Sequence, residues 1–158
     1  MDGHALCRAS TVLALAVAAA VVPSRARGAP SCSFGVAGAL SFGVDDPLAA
    51  APTDSSSTMS YRCPKGQAVQ ISLDAGLAGS FAARALTLGI ERLLYNLYLD
   101  AARTIVWGDG TGGSQPGPGV TTHGAGGTTT VYVFGRIPAG QDVVAGAYGD
   151  TIRVTFQL

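Results

Sequence analysis

Few side chains in this 158-residue sequence are of kinds that do chemistry, and their spacing keeps them apart. Histidine occurs only at His4 and His123. His4 belongs to an N-terminal leader, so His123, inside a Gly/Thr-rich stretch, is the histidine to weigh. A Ser-His-Asp or Cys-His relay needs its histidine held rigidly against a nucleophile. No G-x-S-x-G elbow supplies one, and a solvated loop histidine fits these neighbours better. The carboxylates are scattered, with no spacing that pairs two for acid–base work. Gly108-Asp109-Gly110-Thr111-Gly112-Gly113 has the glycine content of a phosphate or calcium loop. A phosphate loop needs a Lys-Ser/Thr after the glycines and a helix to follow. A calcium loop needs several alternating oxygen ligands, and here Asp109 stands alone. A turn is the better reading, with Trp107 before it as a core residue at a strand end rather than a ligand platform. The expectation is no catalytic residue, no cofactor and no metal: a protein that is not an enzyme.

The cysteines carry more information. Arg8 precedes an uncharged apolar run from Thr11 to Val22. That run suits a secretion signal and falls short of the roughly 20 residues a membrane span requires. Ala26-Arg27-Gly28 places small residues at −3 and −1, so residues 1–28 read as a signal peptide cleaved after Gly28. Residues 29–158 then suffice for one domain with one core. Cys7 leaves with the signal, and Cys32 and Cys63 remain. Two thiols in an exported protein most often pair, a link contributing about 3–4 kcal/mol by loop closure; two free buried thiols are the alternative. Ala29-Pro30-Ser31 ahead of Cys32 lacks the leucine of a lipidation site. Loss of Asp2, Arg8, Arg25 and Arg27 leaves seven basic against nine acidic side chains, no charge excess to attract nucleic acid or an acidic membrane.

The elements that position these residues read as strands. Turn signals recur at short intervals among many glycines and threonines, favouring an antiparallel sandwich. Phe34, Val36, Leu40 and Phe42 share even positions in an expected strand 33–42. Ser57, Met59, Tyr61 and Cys63 share one face of the next, and Val69, Ile71 and Leu73 line another, with Pro64-Lys65-Gly66 as a hairpin turn between the two. Residues 84–102 read as two strands interrupted around Glu91–Leu93. From Gly108 to Gly127 the composition reads as a long exposed loop. Thr128–Phe134 and Asp150–Leu158 close the domain. In the last of these, Ile152, Val154, Phe156 and Leu158 alternate with polar residues up to Leu158. An apolar strand whose edge lacks a partner is a template for strand addition.

Several blocks appear in a specific order: Leu94-Tyr95-Asn96-Leu97-Tyr98-Leu99-Asp100-Ala101-Ala102-Arg103, Trp107-Gly108-Asp109-Gly110, Phe134-Gly135-Arg136-Ile137-Pro138-Ala139-Gly140-Gln141 and Gly146-Ala147-Tyr148-Gly149-Asp150-Thr151. With Cys32, Ser41-Phe42-Gly43-Val44-Asp45-Asp46-Pro47 and Cys63, they resemble the spore coat protein U domain, a family that includes pilin subunits of archaic chaperone–usher systems. The resemblance spans residues 32–158 and implies an incomplete immunoglobulin-like antiparallel β-sandwich lacking its final strand. It also implies a Cys32–Cys63 disulfide and a strand-acceptor groove formed by Ile152, Val154, Phe156 and Leu158. The partners it implies are a periplasmic chaperone that lends a strand, an outer-membrane usher, and a neighbouring pilus subunit whose donor strand replaces the chaperone's. The setting it implies is secretion, transit through the periplasm, then a fimbrium, cell surface or spore coat, with roles in adhesion and biofilm.

The sequence departs from that family at one place. A polymerising pilin carries about ten alternating apolar residues before its first cysteine. Here Ala29-Pro30-Ser31 reach only about 10 Å, and the longer stretch 21–31 carries Pro23, Arg25, Arg27 and Pro30. Proline cannot donate to a ladder, so the expectation is a subunit that accepts a strand without giving one, at a fibre tip or as a cap. The competing expectation is a free-standing secreted sandwich that binds a glycan or other ligand through the Gly-rich loop beside Trp107.

Overall fold

The computed structural model describes residues 32–35, 37–121 and 127–158; the expected signal segment, Val36 and His123 lie outside them. Every regular element among the described residues is a strand: β1 Ser33–Phe34, β2 Thr53–Arg62, β3 Ala68–Leu73, β4 Arg84–Leu88, β5 Glu91–Tyr98, β6 Gly117–Thr121, β7 Thr128–Ile137 and β8 Val154–Gln157. They make two antiparallel sheets, ordered β1-β2-β7-β5-β4 and β6-β3-β8. No described helix is long and apolar enough to cross a membrane.

Period-two alternation produces the core. β2 and β7 pair along ten residues, from Thr53 opposite Ile137 to Arg62 opposite Thr128. Met59 and Tyr61, Val133 and Ile137, and Leu93, Tyr95 and Leu97 turn inward and are buried. Val69, Ile71 and Leu73 meet them from the second sheet. Burying one side chain of this size contributes about 1.5–3 kcal/mol. Trp107 is buried in the same cluster, and its indole N–H donates to the Ile71 carbonyl at 2.9 Å. The Cys32–Cys63 disulfide ties the residue before β1 to the residue after β2.

The structure corrects several expectations. The strand expected over 33–42 is only Ser33–Phe34; beyond it the backbone meets β2 at two points, Gly35 N–H to Ser60 O (2.8 Å) and Gly38 N–H to Thr58 O (2.9 Å). Pro64–Gly66 is not a hairpin turn, because β2 and β3 lie in different sheets. The break between β4 and β5 falls at Gly89–Ile90, not Glu91–Leu93: Gly89 takes the left-handed φ of +61° that a tight turn requires, and Ile90 projects into solvent at its tip. The glycine-rich stretch is not wholly a loop. Ser114 is buried, and β6 pairs with β3. Gly117 lies where a Cβ would come 2.9 Å from the Trp107 ring, so glycine there permits packing rather than preventing it. Finally, β8 is four residues long rather than nine. Gly149 pairs with Thr87 at the edge of β4 (2.8 and 3.2 Å), and the chain then crosses to the other sheet before Val154 joins β3.

Candidate functional site

The crossing is held by two carboxylates. Asp74 Oδ1 accepts the Gly76 N–H (3.1 Å) and the Arg153 N–H (3.0 Å), while the Asp74 N–H donates to the Arg153 carbonyl at 3.1 Å. Asp150 accepts from the Leu77 N–H (2.9 Å), the Thr151 N–H (2.7 Å) and the Tyr95 hydroxyl (2.7 Å). Burial, then the Asp150 carboxylate, pushes the Tyr95 hydroxyl above the ordinary phenol range, so it stays a donor.

Beyond the crossing, β8 is joined along one edge only. Ile71 faces Phe156 and Leu73 faces Val154; among the described residues no strand pairs with the other edge. Facing that edge across a gap is the irregular run 37–47 that follows β1. Two cavities lie between them. One, of about 320 Å³, has Ala37, Ala39 and Leu40 on one wall, Ile152 and Val154 on the other, and Met59, Leu97 and Val133 among its floor residues. The second, of about 610 Å³, lies between residues 40–47 and 143–150 over Leu86, Leu93 and Ile137. Leu40 and Asp150 line both, so the cavities form one seam. At one end the Phe34 ring stacks on Phe156, with centroids 3.9 Å apart. At the other, Val44 is fully exposed and Val144 half-exposed.

Ile152, Val154 and Phe156 are thus half-buried on the inward face, whereas Leu158 lies past the end of β8, is 63% exposed and lines neither cavity. Leu40 and Phe42 were expected in a strand and 41–47 and 146–151 carried the family resemblance, but neither the opposite wall, 37–47, nor the run 143–150 was expected to line the groove. A signal for the wall does exist in Thr53, Ser55 and Ser57, polar residues at inward-facing positions of β2.

No group of three His, Cys, Asp or Glu among the described residues could hold a metal. Asp109 closes its own turn, accepting from the Thr111 N–H (2.9 Å) and hydroxyl (2.7 Å); that hydroxyl, first among its partners, holds the carboxyl below its usual range. The seam combines an apolar floor with an unpaired backbone edge, the two things a β-strand needs in a partner.

The profile of the Spore Coat Protein U domain matches residues 17–155. "Protein U" of Myxococcus xanthus is 34% identical, over 79% of this chain and 76% of that protein. A solved structure, the CsuC–CsuE chaperone–tip adhesion subunit pre-assembly complex from the archaic chaperone–usher Csu pili of Acinetobacter baumannii, contains a chain that superposes with a TM-score of 0.56 at 25% identity. That match covers 82% of this chain, which spans only 40% of the solved one.

Proposed function

Because the chain belongs to the Spore Coat Protein U domain family and folds as an incomplete immunoglobulin-like β-sandwich lacking its final strand, we propose that it is a non-enzymatic surface subunit assembled by strand donation. A strand laid against the free edge of β8 fills the seam. A periplasmic chaperone supplies that strand first, and a neighbouring subunit replaces it at the usher. The observation that carries this reading is the seam itself: Ile152 and Val154 remain half-covered opposite a wall that makes no ladder with them.

The same reading places the subunit at a tip or cap, since Pro23, Pro30, Arg25 and Arg27 make residues 21–31 a poor strand to donate. The solved relative is named as a tip adhesion subunit bound to a chaperone, which supports adhesion at a cell surface or fimbrium; the name of the Spore Coat Protein U domain supports a coat as the other setting.

The test is periplasmic expression with and without the cognate chaperone, followed by size-exclusion chromatography and thermal melting. A soluble one-to-one complex, with a lone subunit that folds but melts at clearly lower temperature and is more protease-sensitive, is the expected result. A lone monomer that melts cooperatively at high temperature refutes strand donation and favours a free-standing binding domain.

A further inference from the structure

The two walls of the seam are attached by different means. The β8 wall is built on a backbone ladder with β3. The facing wall has backbone bonds to β2 only near its start, the last from the Gly38 N–H to Thr58 O at 2.9 Å. From there to Asp45 its hydrogen bonds to β2 come from side-chain hydroxyls, while Leu40 and Phe42 pack on the core, the Phe42 ring edge-on to Tyr95 at 5.9 Å. Ser57 Oγ donates to the Gly38 carbonyl at 2.8 Å, Ser55 Oγ to the Ser41 carbonyl, and Thr53 Oγ1 to the Asp45 carboxylate. Attachment is therefore graded. At the start stand the Cys32–Cys63 disulfide, the β1–β2 pair and the Phe34–Phe156 stack. Midway, Leu40 and Phe42 rest on the core, and at the far end stand the Thr53–Asp45 hydroxyl bond and the exposed Val44. A neutral hydrogen bond that water can replace contributes only about 0.5–1.5 kcal/mol net, whereas a disulfide and stacked rings do not exchange with solvent.

We propose that residues 39–47 are a detachable wall, hinged at the Cys32–Cys63 end and latched to β2 by the hydroxyls of Thr53, Ser55 and Ser57, which opens to admit a strand from the Val44–Val144 end. The inference rests on the strand-acceptor reading and adds how the acceptor opens. It also accounts for a sequence feature that core packing leaves unexplained: three hydroxyl residues at alternate inward positions of β2. Release of the latch frees the carbonyls of Gly38 and Ser41 to pair with the incoming strand.

The test places nitroxides at Val44→Cys and Val144→Cys in the full chain and measures their separation by pulsed electron resonance. The probe for entry is a fluorescein-tagged eleven-residue peptide of alternating valine and threonine, followed by anisotropy. Removing the latch (T53V/S55A/S57A) is expected to broaden the 44–144 distances and to speed peptide entry roughly two- to tenfold per hydroxyl; bound peptide should fix the distance at a new value. If the triple variant folds poorly, Ser57→Ala and Ser55→Ala alone give the same readouts. Unchanged distances and entry rate on latch removal overturn the wall. Failure of the peptide to enter the unaltered protein counts instead against strand acceptance, and the distance change on latch removal still decides whether the wall detaches.

Discussion

Two regions of the molecule are finished to different degrees. Around Arg84 the chain satisfies itself. The guanidinium is completely buried and donates to the Asp74 carbonyl (3.2 and 2.6 Å), the Trp107 carbonyl (2.7 Å) and Asn96 Oδ1 (2.9 Å). Asn96 passes the network on to the Phe81 carbonyl at 2.8 Å, and the Phe81 ring faces the guanidinium at 5.1 Å. Burial pulls the Arg84 pKa down, and Tyr95, Asp74, Asp150 and Asp109 oppose that pull. In the seam, by contrast, apolar groups on both walls stay half-covered, and past Gly38 the wall's hydrogen bonds to β2 come from hydroxyls rather than a backbone ladder. The sandwich therefore satisfies itself around Arg84, while along β8 it leaves the edge that the proposed function gives to a partner strand.

The sharpest way to break that contrast is Arg84→Met. It strips the donors from two buried carbonyls and Asn96, and disruption of a buried charged network costs about 3–5 kcal/mol. We expect loss of a folded product with or without chaperone, read as protease sensitivity in both samples. Rescue by the chaperone would show that the region is not self-sufficient.

Val154→Asp should reverse that pattern. In the free chain the carboxylate reaches water through the open seam, so stability falls by only about 1 kcal/mol. Once a strand covers it, the charge is buried without a partner. The expected result is a near-normal melt of the free protein and no recoverable chaperone complex by size exclusion.

How far each region was legible in the sequence follows from how it is held. Met59, Tyr61, Val69, Ile71 and Leu73 are placed by side-chain periodicity, which a sequence displays directly. Cys32 and Cys63 read as a pair, as did the inward run Ile152, Val154 and Phe156. Arg84 did not, because arginine is exposed by default and its partners are carbonyls, which no residue type advertises. The 37–47 wall was read as part of a strand because Leu40 and Phe42 do alternate, although the backbone there leaves the ladder after Phe34. Ile90 misled because the alternation of Leu86 and Leu88 runs on unchanged into a turn set by Gly89. β6 was obscured because a Gly-Pro-Gly start reads as loop until Trp107 is seen to need the space.

Tyr95→Phe probes the boundary between the two regions. It deletes the hydroxyl that donates to Asp150 while leaving two backbone donors on that carboxylate. A loss of about 1–2 kcal/mol is expected, measured by urea unfolding. Because Asp150 lines both cavities, the variant should also weaken the chaperone complex; an equal loss in free and complexed protein would assign Asp150 to the fold alone.

The smallest effect belongs to a site in neither region, and it serves as the control. Asp54, on the outer face of β2, pairs with Arg136 at 2.7 and 2.8 Å and with Arg103 at 3.1 Å. The hydrogen bond from Arg136 is the largest cause of its lowered pKa. A carboxyl depressed in the folded state contributes stability that is present above its unfolded pKa, near about 3.9, and is lost as pH falls through the folded value. The cluster is a third exposed, so its contribution is about 0.2–1 kcal/mol. Asp54→Asn should therefore melt slightly below the unaltered protein at pH 7, with the gap closing as melts are repeated below pH 4. Chaperone binding should not change. A gap that persists at low pH would mean that Asp54 acts through packing rather than charge, and a lost complex would mean that the outer face of the five-stranded sheet communicates with the seam.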